Sequence, residues 1–218
     1  MTKNKGLLAL TSAIILLPML VGLLLWAKLP QTMVTHFGPS GLPDGFMSKT
    51  MVVFLMPLAL LALHWLCVFA WKYGWKNAGG SKLGAVMLWI VPAVSLFTAL
   101  VTYGYALNEK LNVARMAVVF VGAVFTVIGN YMPKIRRNFT TGIKLPWTLA
   151  DEDNWNRTHR FAAPIWVAGG LVLLALGLAG IPSMIPVIIV GVAMVVLPTG
   201  YSMILARKKG GNGEAGGE

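Results

Sequence analysis

The side chains able to do chemistry are few: three histidines, seven acids and one cysteine in 218 residues. His64 lies inside an apolar run, where an ionisable residue is a functional candidate by default. No acid shares its depth, so a neutral imidazole hydrogen-bonded to a neighbouring helix is the competing reading. His36 and Asp44 fall in the turn-rich stretch KLPQTMVTHFGPSGLPDGFMSK. They are two potential metal ligands where a closed site takes four, so metal binding there stays open. The simpler reading is an ordered cap, held by Asp44 side chain-to-backbone bonds and by Lys49 at the interface. The third histidine, His159, closes the polar stretch GNYMPKIRRNFTTGIKLPWTLADEDNWNRTHR, residues 129–160. That stretch gathers six Lys/Arg, three acids and the amphipathic aromatics Tyr131, Trp147 and Trp155.

The usual catalytic parts are missing. There is no HExxH, no GxxxxGK[ST] phosphate loop and no GxSxG elbow. Asp44, Glu109, Asp151, Glu152, Asp153, Glu214 and Glu218 all lie outside the apolar runs. The single Cys67 rules out an intramolecular disulfide or a structural Cys₄ or Cys₂His₂ zinc site. No catalytic residue, metal or cofactor is therefore assigned.

The elements that must position these residues are set by composition. Apolar residues make up 57% and charged residues 11%, against roughly 45–50% and about 25% in soluble domains. The chain reads as an all-α polytopic membrane protein. Six runs are long enough to span a bilayer: Gly6–Ala27, Met51–Trp71, Leu83–Leu107, Val113–Ile128, Phe161–Gly180 and Met184–Ala206. The first follows MTKNKG without a cleavage site and reads as an uncleaved signal anchor. Pro18, Pro57, Pro92 and Pro198 fall within runs, and Gly169, Gly170, Gly177 and Gly180 suit close helix approach.

The net charge of +11 maps onto the ends of these runs rather than onto a basic stripe, so direct nucleic-acid binding is not expected. With six spans, one side holds fourteen Lys/Arg and the other only Lys28, Lys49, Lys110 and Arg115. The positive-inside rule then places both termini and the loop 129–160 in the cytoplasm. The organisation expected is a two-span unit over 1–82 with an ordered extracellular loop 28–50, a four-span unit over 83–206, and a disordered Gly-rich tail over 207–218.

Within the inner loop, Tyr131 and Pro133 end the fourth span. Lys134, Arg136 and Arg137 form a juxtamembrane basic patch, each worth about 1 kcal/mol of attraction to an anionic leaflet. Gly142 permits a sharp turn, and Pro146–Trp147 suits an extended segment at headgroup level. Thr148 to Asp151 has the capping-box form. It predicts a short amphipathic interface helix before the fifth span, on which Asp153 meets Arg157 and Trp155 meets His159 at i,i+4. Two readings carry equal weight: a structural elbow, or a docking face made of Trp155, His159, Arg136, Arg137 and Arg160.

These residues also carry a resemblance. Gly129, Asn130, Tyr131, Pro133 and Lys134, then Asn138, then Gly142-Ile143-Lys144-Leu145-Pro146-Trp147-Thr148-Leu149, then Trp155, Thr158, His159 and Arg160 resemble the signature of the SdpI family of bacterial membrane proteins. His36, Gly41, Pro43, Asp44, Gly45, Ser48 and Lys49 resemble the small domain of unassigned function often found ahead of it. The resemblance implies a six-span bundle with both termini inside. It further implies an immunity protein that protects against a secreted peptide toxin and signals by holding a cytosolic DNA-binding repressor at the membrane. From the residues themselves, a transporter or flippase removing a peptide or lipid from the bilayer is the alternative.

Overall fold

A computed structural model describes residues 5–38, 41–74, 81–107, 111–181 and 184–214. The order is α1 (Lys5–Leu24), β1 (Thr32–Phe37), β2 (Pro43–Ser48), a π-helical turn (Met51–Leu55) running into α2 (Met56–Gly74), α3 (Ser81–Leu107) and α4 (Val113–Tyr131). A 3₁₀ turn (Met132–Lys134), α5 (Pro146–Ala150), α6 (Glu152–Leu178) and α7 (Met184–Glu214) complete it. Six helical stretches are long and apolar enough to cross a membrane: Lys5–Leu24, Met51–Ala70, Gly84–Leu107, Val113–Lys134, Glu152–Leu178 and Ile185–Lys209. In hydrocarbon a spanning segment must satisfy its own backbone, which these acid-poor Leu/Val/Ala/Ile runs do as helices. The chain is an all-α multi-pass membrane protein.

Three expectations change. The stretch after α1 is not merely a series of turns but an antiparallel hairpin, with Thr32 opposite Ser48 and Phe37 opposite Pro43 and irregularities on either side of His36. A short helix does precede the fifth span, but it is α5 (Pro146–Ala150), where Pro146–Trp147 was expected to be extended, and it ends at Asp151. The polar residues from Glu152 to Arg160 instead form the first turns of α6 itself. Finally, α7 continues to Glu214, into the stretch 207–218 where a disordered tail was expected. Residues 215–218 lie outside the described residues, as do Lys3, Lys76 and Lys110 of the charge count.

The contacts divide the chain into residues 1–70 with 84–117, and residues 71–83 with 118–218. The division at 82/83 read from the sequence therefore parts α3 from the helix it packs on. In the first unit, α1 and α3 are tied by hydroxyls donating to α1 carbonyls, Ser95 to Ile15 (3.0 Å) and Tyr103 to Pro18 (2.9 Å). Gly22 leaves room for this, since a Cβ there would lie 2.7 Å from Tyr103 Oη. Leu29, Met33, Val52, Val53 and Tyr103 form the adjoining core. His64 is buried, its Nε2 lying 3.2 Å from Thr11 Oγ1. Because the Thr11 hydroxyl also reaches Leu8 O at 3.1 Å, its proton has an acceptor and the imidazole N–H can donate to its oxygen. A neutral ring satisfied by one hydroxyl accounts for this histidine.

In the second unit α4 and α6 touch backbone to backbone. A Cβ on Gly122 would lie 2.7 Å from Gly170 O and from Leu174 N, and one on Gly170 would lie 2.5 Å from Thr126 Oγ1. Lipid offers no hydrophobic gain for helix association, so such close packing is the main cohesive term. Gly122→Ala should lower stability by about 1–3 kcal/mol, the range for overpacking. Gly191→Ala, with open space around it, should be close to neutral; thermal unfolding in detergent reads the contrast.

Candidate functional site

Two groups of polar residues lie outside the apolar bundle cores. The first is the hairpin. His36 Nδ1 and Asp44 Oδ1 lie 2.5 Å apart and both side chains are largely exposed. Asp44 thus pairs with His36 rather than forming the expected side chain-to-backbone cap. Gly45 lies directly opposite His36, and a Cβ there would come within 2.7 Å of the histidine Cβ. Pro43 begins β2, and Gly41 lies in the turn with positive φ. Ser48 Oγ accepts from Met51 N at 3.3 Å, at the start of the next helix. Lys49 is buried, and its ammonium donates to Trp26 O (3.1 Å) and Leu29 O (3.2 Å) while lying 4.6 Å from the Trp26 ring centre. A cation there neutralises the carbonyl end of α1 and the turn after it, where the helix dipole is negative. Among the described residues no three His, Cys, Asp or Glu side chains converge as metal ligands.

The second group is the connection from α4 to α6. After Tyr131, whose ring sits beneath Lys134 Nζ at 4.4 Å, the chain turns through Pro133. Ile135 O accepts the Trp155 indole N–H at 2.8 Å. Asn138 then uses its whole amide: Nδ2 donates to Arg136 O (2.8 Å) and Thr141 O (3.0 Å), and Oδ1 accepts from the amides of Thr140 (2.8 Å) and Thr141 (2.7 Å). Gly142 follows with φ 118°, a conformation closed to most L-residues. A Cβ there would lie 2.5 Å from His159 Nε2 and 2.9 Å from the Trp155 ring.

That glycine lets the chain pass over a buried stack. Trp155 and His159 rings lie 4.2 Å apart at 24°, and neither is appreciably exposed. His159 Nδ1 donates to Trp155 O (2.8 Å), and Nε2 accepts the Ile143 amide (3.0 Å). The pair of bonds requires the neutral Nδ1–H tautomer, because an imidazolium has no acceptor. Buried Thr148 closes the next turn, accepting from Leu145 N at 2.9 Å with Ile143 O 2.8 Å and Leu145 O 3.0 Å from its hydroxyl. Trp147 Nε1 donates to Ser202 Oγ (3.0 Å), and Asn154 Nδ2 to Ser202 O (2.9 Å). Thr158 Oγ1 donates to Asn154 Oδ1 at 3.0 Å. The connection is thereby clasped to α7.

The expected docking face is corrected here. Trp155 and His159 are interior, so they present nothing to a partner. Arg137 donates from NH1 to Leu149 O (3.0 Å) and Ala150 O (3.2 Å), the carbonyl end of α5. Arg136 and Arg160 remain exposed, as does Lys144, which reaches Phe139 O and Thr140 O at 3.4 and 3.2 Å. The capping box also shifts. Thr148 lies within α5, and Asp151 is the N-cap of α6, accepting from Asp153 N at 3.1 Å. Lys209 from α7 donates to the same carboxylate at 2.8 Å, holding the Asp151 carboxyl below the usual carboxylate range. The Asp153–Arg157 pair forms at 3.6 Å. Ser202 and Asn154 were missed; a serine isolated in an apolar run was the only signal for the first.

Six spanning helices, a hairpin after the first and a buried clasp before the fifth define a multi-pass membrane protein built around two ordered connections. The model of the SdpI/YfhL protein family matches residues 134–202, from Lys134 through the clasp to its anchor Ser202. Residues 13–61, which contain the hairpin, match a domain of unknown function, DUF1648. The chain is 28% identical over 166 residues to the immunity protein SdpI of Bacillus subtilis (strain 168), covering 75% of this chain and 77% of that protein. No solved structure matches it.

Gly142→Ala should cost roughly 2–5 kcal/mol, from backbone strain together with overlap on the His159 ring. Arg160→Ala, on an exposed side chain, should stay within about 0.5 kcal/mol of wild type. Thermal unfolding in detergent, followed by circular dichroism, reports both.

Proposed function

We propose that this chain is a membrane immunity protein giving resistance to a secreted antimicrobial peptide toxin, with both termini and the clasp on the cytoplasmic side. The observation that carries the reading is the likeness to the Bacillus subtilis immunity protein along three quarters of each chain. The geometry supports a division between the two connections. The hairpin exposes His36, Asp44, Leu42 and Phe46, a small amphipathic surface on the side a secreted peptide would reach first. The clasp buries its aromatic residues and fixes α4, α6 and α7 beneath it.

The finer role implied by the family resemblance is retention of a cytosolic DNA-binding repressor. The surface of α6 left for that role consists of exposed Asn156, Arg157 and Arg160, not the buried Trp155 and His159. Arg157 on this face is paired with Asp153 at 3.6 Å, and Glu152 is exposed at the start of the same helix, so the face carries both signs of charge.

The test is challenge of susceptible Gram-positive cells, with and without this protein, by a killing peptide of the kind secreted during sporulation. Survival should rise with expression, and His36→Ala with Asp44→Ala should reduce it at unchanged membrane levels. Equal killing with and without a correctly inserted protein would refute the immunity reading. A reporter active only outside the cytoplasm, fused after Arg207, should be silent, as the fourteen-to-four Lys/Arg split requires.

A further inference from the structure

The turn from Arg136 to Lys144 contains a feature that neither the clasp nor resistance to a peptide uses. Phe139 is 80% exposed, outside any helix and in the middle of the polar connection. Its exposure is imposed rather than incidental. Buried Asn138 binds the backbone on both sides of it through four hydrogen bonds. Lys144 Nζ adds bonds to the carbonyls of Phe139 and Thr140. A phenylalanine so fixed cannot fold back onto the protein, and the turn holds its ring outward.

Its surroundings specify what can receive it. Arg136 and Lys144 are exposed cations at the two ends of the turn, and Arg137 adds a third positive charge while binding the end of α5. No acid lies between Lys134 and Ala150. The fourth span ends at Lys134, and the five residues onward to Phe139 reach at most about 17 Å even when extended. The ring therefore stays near the headgroup layer of the leaflet where that span ends. An apolar ring flanked by cations at that depth complements an anionic membrane surface.

We propose that this turn is a membrane-surface wedge. Phe139 enters the boundary between headgroups and acyl chains, and Arg136 and Lys144 engage the phosphates of anionic phospholipids. Lys144 fits this role because its ammonium carries three donors and the turn's two carbonyls leave one free. The wedge would fix the height of the clasp against the bilayer, independently of any toxin.

The full chain with Cys67→Ser and Phe139→Cys, carrying a nitroxide at position 139, tests this in nanodiscs of phosphatidylcholine with or without phosphatidylglycerol. With phosphatidylglycerol present, the label should be more accessible to oxygen than to a water-soluble nickel complex. Arg136→Gln should reduce the ratio of inserted to free label about fivefold, the effect of one cation's attraction to an anionic leaflet. Phe139 and Arg136 are both exposed, so an unchanged thermal unfolding midpoint confirms that the fold is intact. A label that stays water-accessible in both lipids would overturn the proposal. So would insertion indifferent to phosphatidylglycerol and to Arg136, or shielding of the label only after a cytosolic protein is added.

Discussion

The second half of this protein hangs on one hydrogen bond, from the Ile143 amide to the Nε2 of His159. The ring can accept it only while neutral, and it stays in that tautomer because Nδ1 donates to the carbonyl of Trp155, one turn earlier on α6. Around this bond the chain must cross the faces of two stacked aromatic rings at van der Waals distance. Only a residue without a side chain fits, hence Gly142. Once the backbone is fixed there, Thr148 closes the next turn and Trp147 falls within reach of Ser202. The long polar run is thus a set of mutually dependent bonds, and most of its invariant-looking chemistry is internal. A buried network of this kind is rigid when every member is satisfied and costly when one is not.

Cations in this molecule do more than orient it in the membrane. Lys49 donates to Trp26 O and Leu29 O in the turn after α1, and Arg137 donates to the last two carbonyls of α5. Carbonyls at or just beyond a helix end have no intrahelical donor, and a cation supplies one. Near a bilayer, water is a poor substitute. Hydroxyls serve inside the bundle, where Ser95 and Tyr103 bond to α1 without bringing charge into hydrocarbon. The division is by depth: ammonium and guanidinium groups at the rims, hydroxyls within.

This use of polar groups shapes the functional reading. The hairpin places a close His36–Asp44 pair and two exposed apolar side chains where solvent reaches them, whereas the clasp hides its histidine and tryptophan. Similarity to the Bacillus subtilis immunity protein extends over 166 residues, three quarters of the chain. Recognition of a peptide fits the open connection. The closed one packs against α6 and α7, with exposed charge on the first turns of α6 and on the turn around Phe139.

The six spans were legible in the sequence because an apolar run of about 20 residues is a local property, and the bilayer imposes its length. The Asp153–Arg157 pair was legible too, from helical spacing. The glycines of the fifth span announced close packing, though not that Gly170 would meet Thr126 while Gly169 meets Val190. What the tertiary structure alone decided was which polar residues are interior. Trp155 and His159 have the composition of a docking face, and they are buried because residues 135–143 fold back over them. Arg137 resembles Arg136 in every local respect and both are exposed, yet Arg137 bonds the carbonyl end of α5. The hairpin escaped because its alternation is interrupted by glycine and proline, and its strands become visible only as a pair. Asp151 took the cap expected of Thr148 because the Thr148 hydroxyl was already engaged across five residues with Ile143 O. Hydropathy is summed along the chain, but burial of a polar side chain is fixed by partners far away in sequence, and no local pattern encodes them.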